Sequence, residues 1–521
     1  MPVRKIALLL IAALLLPVFA GCTSDEAYVP TGNGLADMTV PAETQEAAPG
    51  ILEEQDELFT LAYYPDEGFN PYLCTNLNNR MLFSLIYQGL FSVDRNYNAV
   101  PILCKSFTVS DDLRDYTFHL ESATFSDGTY LRAEDVVACL EYARESDMYE
   151  GRFDKIDAVY AVGENAVRIE ASVPYENLPM LLDIPIVKAS QTEEAMPVGT
   201  GPYMLVQTAS GMNLQRRSNW WCRADLPIQA ASIPLFVAES AARIRDEFEF
   251  SDLGISISDP GSASYAEYRC DFELWEIESG LMLYLGCNLE SDVFSNDKVR
   301  AALTYAIDRT RILQQCYNGF GVTTTLAVSP NSPFYDKGLG SQGQYDPERL
   351  KQTIRNEGYL GAQVVLLVNK SDSVRLQAAR MIVEMLNECG LEVILEDWST
   401  PYYKNKLTTD EYDLYLGQTK LSATMDLSQF FAPYGALSYG DMDDPACYSM
   451  AHEALENSGN FYNLNQLIMA DGQLVPILFR TYAIYAERGL VKNLNPARDN
   501  VFFYTLGKKL SDVMTIDYGD E

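Results

Sequence analysis

The chain has 521 residues, 47% of them apolar, enough to build two or three domains with sizeable cores. Its net charge of −35 at pH 7 repels phosphate backbones and anionic headgroups, which argues against a nucleic-acid partner. Two histidines, His119 and His452, and ten cysteines with no CxxC spacing leave metal or histidine-based chemistry short of parts, and no cofactor is expected.

In chain order, the first 21 residues, MPVRKIALLLIAALLLPVFAG, place Arg4 and Lys5 ahead of an apolar run from Ile6 to Ala20. A run that short does not fill a bilayer core about 30 Å thick, so residues 1–21 are read as a secretory signal peptide. FAGC then resembles the lipobox of bacterial lipoproteins, with Phe19 where leucine is usual. The resemblance implies cleavage before Cys22 and a lipid on its thiol, an anchor that needs no spanning helix. Residues 22–56 are polar, acidic and without hydrophobic period, which predicts a flexible tether.

The first half of the remainder predicts a strand at LFTLAYY (58–64), a helix at NNRMLFSLIYQGLF (78–91), a strand at YTFHLE (116–121) carrying His119, and a helix at AEDVVACLEYAR (133–144) opened by Glu134 and Asp135. The second half has a clearer pattern. AQVVLLVN (362–369), EVILEDW (392–398) and YDLYLGQ (412–418) read as strands, with a helix at VRLQAARMIVEMLNEC (374–389) and a helix or turn at TPYYKNKLTTDE. Strands alternating with helices predict a βαβαβ unit, in which ligands bind beyond the carboxyl ends of the strands. HExxH, GxSxG and the phosphate loop are absent, and GLGSQG (338–343) follows turn residues where a dinucleotide fingerprint needs a strand.

Several blocks together resemble a known family, the extracytoplasmic solute-binding proteins of the peptide and nickel transporter class, solute-binding family 5. They are FNPYLCTNLNNRMLFSLIYQGLF, the block PILCKSFTVSDDLRDYTFHLESATFSDGTYLRAEDVVACLEYAR, PVGTGPYML (197–205), NDKVRAALTYAIDRTRIL (296–313) and YDPERLKQTIRNEGY, in that order. The fold implied is α/β, a two-lobed periplasmic-binding-protein-like clamp of type II with an extra inserted subdomain, its mixed sheets carrying helices on both faces. Lobe I is expected to comprise 57–282 plus 486–521, with the subdomain at about 91–196, and lobe II 283–485, with hinge crossovers near 283–289 and 482–489.

The resemblance also implies capture of a small solute, oligopeptide-like or other, and its delivery to the permease subunits of an ABC transporter. The molecule is then a monomer, no enzyme, held at the extracytoplasmic face of the cell membrane by its lipid. A sensor or adhesin using the same clamp is the alternative, with a surface hydrolase behind it. Position in the chain makes Thr75, Asn76, Trp398, Tyr402, Tyr403, Gln418, Thr419, Lys420 and Ser422 the candidate ligand contacts, with Trp398 read chiefly as packing between the lobes. Peptide-binding members end this strand with Gly-Trp and place an aspartate for the peptide's amino terminus a few residues on. Here Gln418 follows Gly417, Lys420 or Leu421 falls at the aspartate's place, and Asp426 is read as a helix N-cap. A lysine repels an α-ammonium, so an anionic or neutral solute is expected.

Overall fold

The computed structural model describes residues 60–149, 151–491 and 493–517. The expected signal segment, Cys22 and tether lie outside the described residues. In the second half the apolar runs become strands Gln363–Asn369, Glu392–Trp398 and Leu414–Lys420, with helices Ser373–Glu388 and Thr400–Thr408 between them. The first strand pairs in parallel with both of the others, so the chain crosses it from one side to the other. Helix Ser373–Glu388 starts where the Asp372 side chain accepts from the Arg375 N–H at 2.9 Å, and it buries Ala378, Ile382, Met385 and Leu386 on one stripe.

These strands extend into one eleven-stranded sheet through two long strands, Glu273–Cys287 and Leu474–Ala486, paired antiparallel. Their side chains alternate between two cores. Leu283, Leu285 and Leu478 pack with Leu366, Val368 and Ile382, whereas Met282, Tyr284 and Phe479 join a larger cluster that includes Phe107 and Phe430. Burial on both faces explains why GLMLYLGC reads as an unbroken apolar run. The pairing of the long strands shifts between Glu278 and Met282, where Gly280 has φ 74°. A Cβ there would collide with the Arg498 guanidinium, so both the backbone angle and the close approach require glycine.

Beyond the long strands the sheet continues through Leu253–Ser258, Thr60–Tyr63 and Ser232–Val237 to Gly211–Arg216 and Tyr203–Thr208. A second sheet of five strands holds Cys104–Ser110, Asp115–Leu120, Ile156–Val162 and Ala166–Ala171, and the late strand Met514–Asp517 lies parallel to Cys104–Ser110. His119 stands exposed on Asp115–Leu120, and helix Ala133–Arg144 forms as the pattern predicts. The nine described cysteines are free thiols, seven of them buried.

One element departs from expectation. Instead of a helix over 78–91 there are two short helical segments, Leu77–Met81 and Phe83–Ile86, after which Tyr87 turns to extended backbone and Phe91–Val93 is a strand. The cause is a distant segment. Gly201 N–H donates to the Ile86 carbonyl at 2.9 Å, and a Cβ on Gly201 would stand 2.6 Å from that oxygen. The two glycines of GTGPY are therefore explained by backbone docking on Ile86.

Candidate functional site

The site is built where the carboxyl end of Leu414–Lys420 faces the Leu77–Ile86 segment. That segment is fixed from below by Asn79, which is fully buried: its amide donates to the carbonyls of Tyr64 at 2.8 Å and Gly68 at 2.7 Å, and its oxygen accepts from Tyr64 N–H at 2.7 Å. Asn76 caps the first turn by accepting from the N–H groups of Asn78 and Asn79. Arg80, next in the chain, is directed into the pocket, and Ser84 follows one turn later on the same side.

The facing wall is a turn. Ala497 and Asn500 exchange backbone hydrogen bonds of 2.9 and 3.1 Å, which puts Arg498 and Asp499 at the tip, with Asp499 at φ 54°. Left-handed backbone costs a non-glycine residue about 1–2 kcal/mol, though aspartate tolerates it better than most. Three cations hold it there. Lys420 Nζ lies 2.9 and 2.8 Å from the two Asp499 oxygens, Arg80 Nη2 is at 3.7 Å and Arg498 Nε at 3.9 Å. Arg498 also donates to the carbonyl of Leu421, and its guanidinium lies 5.9 Å from the Tyr97 ring.

Arg152, ion-paired with Asp183, closes the third side, and Tyr149, Tyr87, Gln88 and Tyr504 complete the wall. The pocket is open to solvent. Arg80, Arg152, Lys420 and Arg498 face it against Asp183 and Asp499, so two positive charges are in excess. Burial pushes the Lys420 ammonium down, and Arg80 and Arg498 add to this against the pull of Asp499, to about 8, although 31% of the side chain still meets water. Burial alone would raise the Asp499 carboxyl, but Lys420, Arg80 and Arg498 overcome it and hold it well below the usual range.

Of the residues singled out from the sequence, Lys420 lines this pocket. Thr75 is exposed in the loop before Leu77–Met81, and Asn76 has its side-chain oxygen occupied by the cap. Trp398, read as packing between the lobes, is 37% exposed on the edge strand, its ring 6.2 Å from Tyr402, which is 65% exposed. Tyr403 is buried and donates to the Leu416 carbonyl at 3.0 Å. Gln418 accepts from Arg480 at 3.0 Å, beside the Arg480–Asp259 pair, Thr419 is half-buried opposite Met282, and the Ser422 hydroxyl meets that of Thr424 at 2.8 Å. Asp426, read as a helix N-cap, accepts from Ser428 N–H at 2.8 Å, but Leu427 holds the cap position of helix Ser428–Phe431, which has no side-chain cap.

Arg80, Ser84, Arg152, Arg498 and Asp499 were not found by sequence reasoning. They come from separate segments, and the one local signal was the lone arginine in NNRMLF. Among the described residues no cluster of His, Cys, Asp and Glu is arranged to hold a metal, and no helix is long and apolar enough to cross a membrane.

A mixed sheet joined by long strands, with a polar cleft at a strand's carboxyl end, defines a two-lobed binding protein of the periplasmic type. Solved structures with this fold include a putative peptide-binding protein AppA from Clostridium difficile, with a TM-score of 0.71, 16% identity and coverage of 86% of this chain and 98% of that one. Another is a nickel ABC transporter protein from Bacillus halodurans, with a TM-score of 0.70, 19% identity and coverage of 87% and 99%. Residues 98–440 match the bacterial extracellular solute-binding proteins, family 5 (middle), and the chain belongs to that family. It is also 25% identical over 340 residues to the glutathione-binding protein GsiB of Escherichia coli K12, a match that covers 62% of this chain and 66% of the relative's length. The family consists of binding proteins associated with transport.

Proposed function

We propose that the protein captures a small solute outside the cytoplasmic membrane, between lobes formed by 57–282 with 486–521 and by 283–485, and hands it to an ABC permease. The cleft around Lys420 and Asp499 carries this reading. It joins the end of the βαβαβ unit to the Leu77–Ile86 segment and the late 497–500 turn, and it is lined by polar side chains open to water. Closure is proposed to bend the two long strands at Glu278–Met282, where their pairing already shifts and Gly280 holds φ 74°. The Arg480–Asp259 pair, Nη2 to Oδ1 2.7 Å, ties one long strand to the loop after Leu253–Ser258 close to that point.

In this reading Cys22 carries the lipid and the protein acts as a monomer at the outer face. Specific ligands stabilise the folded state by mass action, by about 2.7 kcal/mol at a hundredfold excess over Kd. A thermal-shift screen of the purified chain against peptides, sugars, organic acids, amines and metal chelates is expected to find one class that raises Tm by several degrees. No stabilisation by any class would contradict solute capture. Retention of the protein in the membrane fraction, lost in Cys22→Ser, tests the anchor separately.

A further inference from the structure

We infer that the solute is a compact carboxylate and that Arg80 is the residue on which its carboxylate sits. The inference rests on reading this cleft as the capture site. It moves the charge readout away from Lys420, because the Lys420 ammonium already lies 2.8 Å from Asp499 and has its counter-ion within the protein.

The other cations are likewise engaged. Arg152 is paired with Asp183, and Arg498 donates to the Leu421 carbonyl. Arg80 differs. Its nearest ionic partner, Asp499, stands at 3.7 Å, and among the described residues its guanidinium donates no hydrogen bond. A planar fork of five N–H donors at the wall of a pocket is left to a ligand, and its geometry matches the two oxygens of a carboxylate.

Two further groups point the same way. Ser84 Oγ, one turn beyond Arg80, is buried without a hydrogen-bond partner, and it supplies a hydroxyl donor to the same anion. Asn500 Oδ1, on the opposite wall, is also buried and unpartnered, and it accepts from an N–H or O–H elsewhere on the solute. An unmet polar group in a closed site is costly, so a solute that satisfies all three gains over one that satisfies none. The excess of two positive charges in the pocket selects an anion over a neutral or cationic solute, within a protein whose net charge is −35.

Calorimetric titration of the purified chain with glutarate, citrate and glutathione, each against its ethyl ester and against inorganic phosphate, tests this. At least one acid is expected to bind about tenfold or more tighter than its ester, a difference of about 1.4 kcal/mol. Arg80→Gln should remove that preference, and Arg80→Lys, which keeps the charge and loses the fork, should be intermediate. Circular dichroism establishes that the variants fold, and the acid-to-ester ratio of the wild type stands without them. Acid and ester binding equally, phosphate binding tighter than every acid, or full preference surviving in Arg80→Gln overturns the inference and leaves solute capture intact. Absence of binding by these compounds and by every class in the thermal-shift screen overturns both.

Discussion

Lys420 was legible as a base where relatives of the peptide-binding kind carry an acid, but its partner was not, because Asp499 lies 79 positions later in a turn with no sequence period. The pair makes Lys420 a structural cation that helps to set the charge of the cleft. Replacing Asp499 with Asn leaves Lys420, Arg80 and Arg498 facing one another. The expected loss of stability is about 2 kcal/mol, below the ~3–5 kcal/mol of a fully buried pair because water reaches Lys420. Lys420→Met, which removes one of three cations, should cost less, and chemical denaturation of both variants measures the difference. The Asp499 carboxyl is depressed, so its contribution is present above the unfolded value of about 3.9 and is lost as pH falls through the folded value; Asp499→Asn should flatten the acid limb of the stability curve. Lys420 titrates near 8, so affinity for citrate or glutathione, whichever binds, should hold below that pH and fall above it as the ammonium loses its proton. In Lys420→Arg the calorimetric affinity should stay level across the same range, because a guanidinium keeps its charge.

At the scale of elements, the βαβαβ unit was readable because its strands and helices satisfy their own hydrophobic periods and their caps are local, as with Asp372. The segment after Asn76 was not. NNRMLFSLIYQGLF is apolar throughout, so nothing local marks the break at Tyr87, which is imposed by Gly201 docking on the Ile86 carbonyl from more than a hundred residues away. The same segment shows how an element serves the site. Asn79 anchors it with three hydrogen bonds of 2.7 to 2.8 Å and so sets the position of Arg80. Asn79→Ala takes the side-chain partner from partly buried backbone groups of Tyr64 and Gly68, which costs about 1–3 kcal/mol. It should also narrow the ratio of acid to ester affinity, which calorimetry reads beside the denaturation.

For the whole molecule, sequence order and blocks identified the family and the clamp, whereas the cleft wall could not be listed from sequence because Arg80, Arg152, Lys420 and Asp499 converge only when the long strands bring both halves of the sheet together. The strand-end rule found one wall. It also pointed to the Trp398–Tyr402 rim, which the fold leaves exposed. Hydrogen–deuterium exchange with and without saturating citrate or glutathione, whichever the titrations select, separates the two surfaces most directly. Protection should converge on 80–89, 148–152, 418–422 and 497–504, with 398–403 unchanged. Protection confined to 398–403, or none at 80–89 and 497–504 under saturating ligand, would contradict capture in the Lys420–Asp499 cleft.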